Sequence, residues 1–108
     1  MLTLAQMGRN DIAERLIHND TFPSWGFSIK HGATSIWERW DGWTPEKGFQ
    51  DPGMNSFAHY SFGAVYQWMV EELGGIRSSG PAYKDIIVAP QLDPGLTWAC
   101  LLYTSRCV

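Results

Sequence analysis

The chain has 108 residues, 44% of them hydrophobic and 18% charged, a globular composition sufficient for one domain or a piece of one. Its formal net charge is −3 and its eight Lys and Arg are scattered, so it carries no electrostatic footprint for nucleic acid. No apolar stretch approaches the ~20 residues needed to span a bilayer, and the opening MLTLAQMGRND lacks the basic and apolar segments of a secretory leader.

In chain order, residues 2–18 predict two short helices in a helix–turn–helix hairpin. Met1, Leu2, Leu4, Ala5 and Met7 run up to Gly8, which suits a left-handed helix stop. Asn10 is placed to cap the second helix, whose Ile12, Ala13, Leu16 and Ile17 fall on one face. Asn19, Asp20 and Thr21 make a break, and Phe22 before Pro23 is biased to extended backbone. Pro23 suits the first turn of a third helix running through Trp25 and Ile29 to His31, with Gly32 ending it. His18 and His31 then sit at helix C-termini, where they complement the dipole.

From Gly32 to Asn55 no helical or strand period persists, and Trp37, Trp40 and Trp43 crowd into seven residues. A loop of this length in a packed chain is functional or disordered, and its aromatic density argues for order. Asn55 or Ser56 is expected to cap the strongest helix, about residues 56–74, with Phe57, Ala58, Phe62, Val65, Met69 and Leu73 inward and Gly74-Gly75 as its stop. Residues 78–83, SSGPAY, read as a turn. Asp85–Ala89 reads as a short strand closed by Pro90, and Leu96–Ala99 as a second strand after an Asp93-Pro94-Gly95 turn. Helices first and strands last describe the end of a mainly α domain followed by the start of a β domain.

Within the loop, Glu38 lies between Trp37 and Trp40, with Arg39 and Asp41 beside it. Two indoles shed water from a carboxylate, while the flanking charges act in opposite senses and the sequence does not decide between them. Such surroundings suit a general acid or base; the competing description is an ordinary Glu–Arg surface pair among packing Trp side chains. His59, expected in the first turn of the long helix, can bond sugar hydroxyls or cap local backbone. Six Trp, four Tyr and five Phe supply either an aromatic core or flat faces on which sugar rings stack. Cys100 and Cys107 lack metal-site spacing and companion His residues. Neither a zinc-protease helix, a calcium loop, a GxSxG elbow nor a glycine-rich phosphate loop is present. No metal and no cofactor are expected.

Several blocks carry a family resemblance. Thr21–Phe27 (TFPSWGF) and Gly32–Gly42 (GATSIWERWDG) resemble the Y-P-S-W-G-Y and G-A-T-T-I-W-E-R-W-D-G signatures of the bacterial α-L-rhamnosidases, a family of inverting glycoside hydrolases. Gly48–Phe57 (GFQDPGMNSF), His59-Tyr60, Phe62–Val65, Tyr83-Lys84, Pro90-Gln91 and Leu96–Ala99 are similar to the family in the same order. The resemblance implies a partial six-hairpin α/α toroid over residues 1–80, the start of a β-sandwich strand pair over 81–99, and a tail over 100–108. It further implies Glu38 as general base, His59 as a sugar contact, Trp40 as a wall of the rhamnose pocket, and a rhamnose-containing carbohydrate as substrate. The rest of a parent chain would complete the fold.

Two departures from the family pattern stand out. The family's general acid belongs to an upstream acidic loop, and nothing before Glu38 resembles it; Glu14 and Asp20 sit in helical and helix-end contexts. Leu101–Val108, LLYTSRCV, does not resemble the sandwich continuation. A non-catalytic helical carbohydrate-binding or interaction module, and a non-functional truncated fragment, are the alternatives to a piece of a glycosidase.

Overall fold

The computed structural model describes residues 1–91 and 94–102. It divides into two compact units, Thr3–Ala64 and Val65 onward.

The first unit begins with helices α1 (Leu2–Gln6), α2 (Asn10–His18) and α3 (Trp25–Lys30). Gly8 ends α1 as expected: at φ +71° it donates to Ala5, while Arg9 donates to Leu4 at 2.8 Å, satisfying carbonyls the helix end would orphan. The cap of α2 differs from expectation. Asn10 is the first residue inside the helix and Arg9 precedes it, its guanidinium bound twice to Asp11 at 2.9 Å. Asp11 in the first turn favours the helix dipole without a side-chain N-cap. Along α2, Ala13 is fully buried while Leu16, expected on the same face, is 45% exposed.

Pro23 lies outside α3, not in its first turn. It follows a cis peptide bond from Phe22, and Ser24 is the cap, its hydroxyl accepting from the Phe27 amide at 2.9 Å. That bond satisfies one of the free amides of the first turn, and Ser24 is buried. His31 stands at the C-cap; its Nδ1–H donates to the Phe27 carbonyl at 2.8 Å, and Gly32 follows at φ +86°. Helix α3 packs on the end of α2, where a side chain at Gly26 would press into the backbone of Asn19 and Asp20.

The Trp-rich segment is ordered, and it contains a hairpin that hydrophobic periodicity does not reveal. Strands β1 (Trp43–Thr44) and β2 (Gly48–Phe49) pair antiparallel, Trp43 opposite Phe49. The Thr44 hydroxyl accepts from the Lys47 amide across the turn at 3.2 Å. A 3₁₀ turn, Pro52–Met54, follows, capped by the Asp51 carboxylate on the Gly53 amide at 2.8 Å.

The long helix starts five residues later than the sequence predicts. Residues 55–60 are non-helical, because their backbone is bonded to the Glu38 loop. Ser61–Ala64 is 3₁₀ and ends the first unit.

The second unit opens with α4 (Val65–Trp68) and a π turn over Met69–Leu73. Val65 is buried, as expected; Trp68 is fully buried, whereas Met69, expected inward, is 36% exposed. Because the helical pitch changes along 61–73, one 3.6-residue period cannot place its inward face. Gly75, at φ +67°, leads into β3 (Ile76–Ser78), which pairs antiparallel with β4 (Ile86–Val88). The partner of the expected strand at 85–89 is therefore β3, part of whose length falls in the expected turn. Residues 96–99 are not a strand. Pro94 and Gly95 are in a turn; Asp93, Tyr103 and Cys107 lie outside the described residues. Cys100 is an exposed free thiol. Among the described residues no helix is long and apolar enough to cross a membrane.

Candidate functional site

Two backbone segments distant in sequence form the site. The Glu38 amide donates to the Ser56 carbonyl at 2.8 Å, and the His59 amide donates to the Ile36 carbonyl at 2.9 Å. The Ser35 hydroxyl donates to the Phe57 carbonyl alongside them. These bonds align residues 35–38 with residues 56–59 and consume the backbone groups that the expected helix start would have used. Glu38 and His59 are thereby brought to one pair of strapped segments.

Glu38 reaches back along this pairing: its Oε2 accepts from the Ser56 amide at 2.8 Å. Oε1 takes no hydrogen bond from the described residues, and none of the ion pairs among them involves Glu38. Arg39, the neighbouring cation, is committed elsewhere. Its Nε and Nη2 donate to the two carboxylate oxygens of Asp41 at 3.0 and 2.9 Å, a bidentate fork. Those bonds, with the charge behind them, hold the Asp41 carboxyl below its ordinary range and push the Arg39 guanidinium higher. The sequence left open how Arg39 and Asp41 share the charge around Glu38; the geometry pairs them with each other.

The loop's turn is closed by Asn55, whose amide Nδ2 donates to the Gly42 carbonyl at 2.9 Å. That carbonyl also accepts from Gln50 at 3.0 Å. Gly42 is required by close approach, since a Cβ there would stand 2.8 Å from Asn55 Oδ1 and 3.3 Å from the Arg39 carbonyl. Sequence reasoning placed Asn55 only as a helix cap and missed this bridge. The Trp-Thr-Pro-Glu-Lys-Gly-Phe run, with glycine after a three-residue loop, was the available hairpin signal.

His59 sits ahead of the helix, not inside its first turn. Its Nδ1 accepts from the Ser61 amide at 3.3 Å, which leaves the proton of the neutral ring on Nε2. Its ring stacks on Tyr60 at 5.2 Å. Trp40 belongs to an aromatic cluster, stacked on Phe62 at 3.9 Å and meeting Trp25 edge-on at 5.1 Å. Trp25 donates its indole N–H to the Phe62 carbonyl at 3.0 Å. Trp37 is buried and meets Phe57 edge-on at 5.3 Å. A gap of about 50 Å³ beside Trp25, Trp40 and Phe62 admits a water or a methyl group, not a sugar ring. An open cleft of about 300 Å³ on the other side of Trp37, walled by Trp43, Phe49 and Phe57 with the Thr34 and Ser35 hydroxyls, is at the lower end of ligand-sized volumes.

Comparison with known proteins gives the site its context. Residues 1–73 match the family model of the bacterial alpha-L-rhamnosidase 6 hairpin glycosidase domain. The chain is 42% identical over 102 residues to an alpha-L-rhamnosidase of Streptomyces avermitilis, with 94% of this chain and 10% of that protein covered. It is 41% identical over 96 residues to an alpha-L-rhamnosidase of an Alteromonas species, covering 89% of this chain and 10% of the relative. Among solved structures, the Streptomyces avermitilis alpha-L-rhamnosidase complexed with L-rhamnose superposes with a TM-score of 0.77 at 45% identity, over 82% of this chain and 9% of that one. The Aspergillus terreus alpha-L-rhamnosidase gives 0.70 at 34% identity, over 78% and 10%. The chain thus spans about a tenth of the length of the relatives it matches. With more than half its residues inside that family model, it belongs to the bacterial α-L-rhamnosidases, in their six-hairpin glycosidase domain.

Proposed function

We infer that the chain carries the general-base side of the sugar site of an inverting α-L-rhamnosidase that removes terminal α-L-rhamnose from glycosides or polysaccharides. In this reading residues 1–80 close a six-hairpin α/α toroid, residues 81–99 begin a β-sandwich with the β3–β4 hairpin at the junction, and the remaining helical hairpins come from the parent chain. Glu38 takes a proton from water as it attacks the anomeric carbon; His59 and Trp40 contact the sugar; the acid that protonates the leaving oxygen comes from outside this chain. An inverting pair keeps its carboxyls about 6.5–9.5 Å apart, with the water between them.

One observation carries the reading: the Glu38 carboxylate is oriented through Oε2 by the Ser56 amide while its neighbouring cation is occupied by Asp41. A base needs that combination of fixed position and a second oxygen not already committed to a donor. The test is Glu38→Gln in the full-length parent. The amide keeps shape and a hydrogen-bonding oxygen but cannot accept the proton. Turnover of an aryl rhamnoside is expected to fall about 10²–10⁴-fold, with L-rhamnose binding retained by calorimetry. Near-normal turnover would refute the assignment.

A further inference from the structure

We propose that Asp41 is a positioning residue for the base, holding the Arg39 guanidinium away from the Glu38 carboxylate so that Glu38 remains free to accept a proton. This rests on the reading of Glu38 as general base.

Arg39 follows Glu38 directly in sequence, and a flexible guanidinium beside a carboxylate is its natural partner. A cation within about 4–6 Å favours the ionised carboxylate and weakens it as a base. The charges of Glu38 and Asp51 both act on Arg39. Asp41 takes two of the guanidinium nitrogens in a parallel fork at 3.0 and 2.9 Å, which fixes the plane of the group as well as its place. The fork also spans the Arg39–Gly42 turn, whose carbonyl–amide bond is 3.2 Å.

The remaining charges of the loop are Glu46, Lys47, which acts on Asp41, and Asp51. From the facing segment comes His59, with Nδ1 turned to the Ser61 amide. The pair is partly exposed, 39% and 43%, so it contributes little to stability. Its effect is on where charge sits. With Asp41 present, the cation and anion beside the base form a closed, neutral unit; without Asp41, the residue next in sequence to the base carries an unpaired positive charge.

The test is a four-corner comparison in the full-length parent, reading the pH dependence of kcat/KM on an aryl rhamnoside. The acid limb of that profile reports deprotonation of the base. Asp41→Asn is expected to move the acid limb down by about one pH unit and to lower the plateau rate, since a weaker base accepts the proton less readily. Arg39→Gln, which leaves the anion alone, should move the limb up. Arg39→Gln/Asp41→Asn removes a neutral pair and should return the limb close to that of the parent, well short of either single shift.

A merely structural pair would lower activity in all three variants with no ordered shift, and the double variant would be no better than Asp41→Asn; that outcome overturns the proposal. If Asp41→Asn fails to bind L-rhamnose and is therefore misfolded, the upward shift of Arg39→Gln and its cancellation in the double variant still decide. Glu38→Gln run alongside separates the two layers. Retained turnover there removes the base reading and this proposal together, whereas a dead Glu38→Gln with an unmoved acid limb in the other variants removes only this one.

Discussion

Glu38 and Ser56 are bonded to each other in both directions: the Glu38 amide donates to the Ser56 carbonyl at 2.8 Å, and the Ser56 amide donates to Glu38 Oε2 at the same distance. Main chain and side chain of Glu38 are therefore referenced to one residue 18 positions away, and the Ser56 hydroxyl takes no part in either bond.

That division predicts opposite outcomes for two substitutions at one site. Ser56→Ala keeps both backbone groups and loses only the hydroxyl's acceptance from the Ala58 amide at 3.2 Å; turnover in the parent should stay within about threefold, less than one hydrogen bond's worth. Ser56→Pro removes the N–H that holds Oε2, and on the proposed reading of Glu38 kcat should fall by at least about tenfold, the cost of a base displaced from reach of its water. Steady-state kinetics on both variants check this.

The contact between Gly42 and Asn55 gives a stability test. Gly42→Ala places a methyl group 2.8 Å from Asn55 Oδ1, and Asn55 cannot retreat without losing its bond to the Gly42 carbonyl. The loss should be about 1 kcal/mol or somewhat more, seen as a lower melting temperature. In Gly42→Ala/Asn55→Ala the clash is gone, so the double variant should melt no lower than Asn55→Ala alone.

Gly75 is held more tightly. Its φ of +67° costs other residues roughly 1–2 kcal/mol, and a Cβ would collide with the backbone of Ala89 and Pro90. Those atoms cannot swing aside, because the Ala89 amide donates to the Gly75 carbonyl at 2.8 Å at the base of the β3–β4 hairpin. Gly75→Ala should break that hairpin, with a fall in melting temperature and a new protease cleavage within residues 76–90, readable by limited proteolysis and mass spectrometry.

The chain alone should be weakly stable and inactive. Among the described residues, the buried hydrophobic side chains are Ala13, Trp37, Val65 and Trp68, against sixteen large ones that are exposed; apolar surface of that extent drives association. Circular dichroism should show a broad melt, and light scattering should show oligomers. On the proposed reading the general acid comes from outside the chain, so even a nitrophenyl rhamnoside should turn over no faster than in a Glu38→Gln control. A sharply melting, active monomer would contradict both expectations.

The carboxylates set a direction for acid. Arg9, Lys30 and Arg39 hold Asp11, Asp20 and Asp41 below their ordinary value, in each case chiefly through a side-chain hydrogen bond. A lowered folded value means each pair contributes fully above the unfolded carboxylate range near pH 4, and the contribution is lost as pH falls through the folded value. The first two pairs are exposed and the third partly so, so the effect is small. In the parent, Asp20→Asn should flatten the fall in melting temperature between pH 5 and pH 3 only slightly, by about a degree.

What was legible in the sequence follows from how local the cause was. Gly8 and Gly32 declared helix ends because the helix stop is written in one residue. Glu38 and His59 stood out because charge and imidazole among indoles are conspicuous wherever they fold. The start of α3 was placed too early, with Pro23 in its first turn, because Pro23 and Ser24 are adjacent and both favour helix starts; the Phe27 amide bonds the Ser24 hydroxyl, which makes Ser24 the cap. The start of the long helix was placed five residues early because Asn55 and Ser56 have the composition of a cap, while their bonds go to Gly42 and Glu38. A pairing across 18 residues leaves no mark in local propensity. Strand β3 has three residues, too few to show alternation, so β4 was matched to the wrong partner.

The excursion between Glu38 and Ser56 is pinched shut at its base. Glu38 to Ser56, Gly42 to Gln50 and Gly42 to Asn55 tie its two ends together before the β1–β2 hairpin projects beyond them. Lengthening a loop already closed at its root costs little, about 0.6 kcal/mol per doubling, and none of that cost reaches the anchored ends. Residues 45–47 are thus a place where length and side chains can change without moving the Glu38 carboxylate; on the proposed reading, the surface beyond the hairpin can be reshaped apart from the group that activates water.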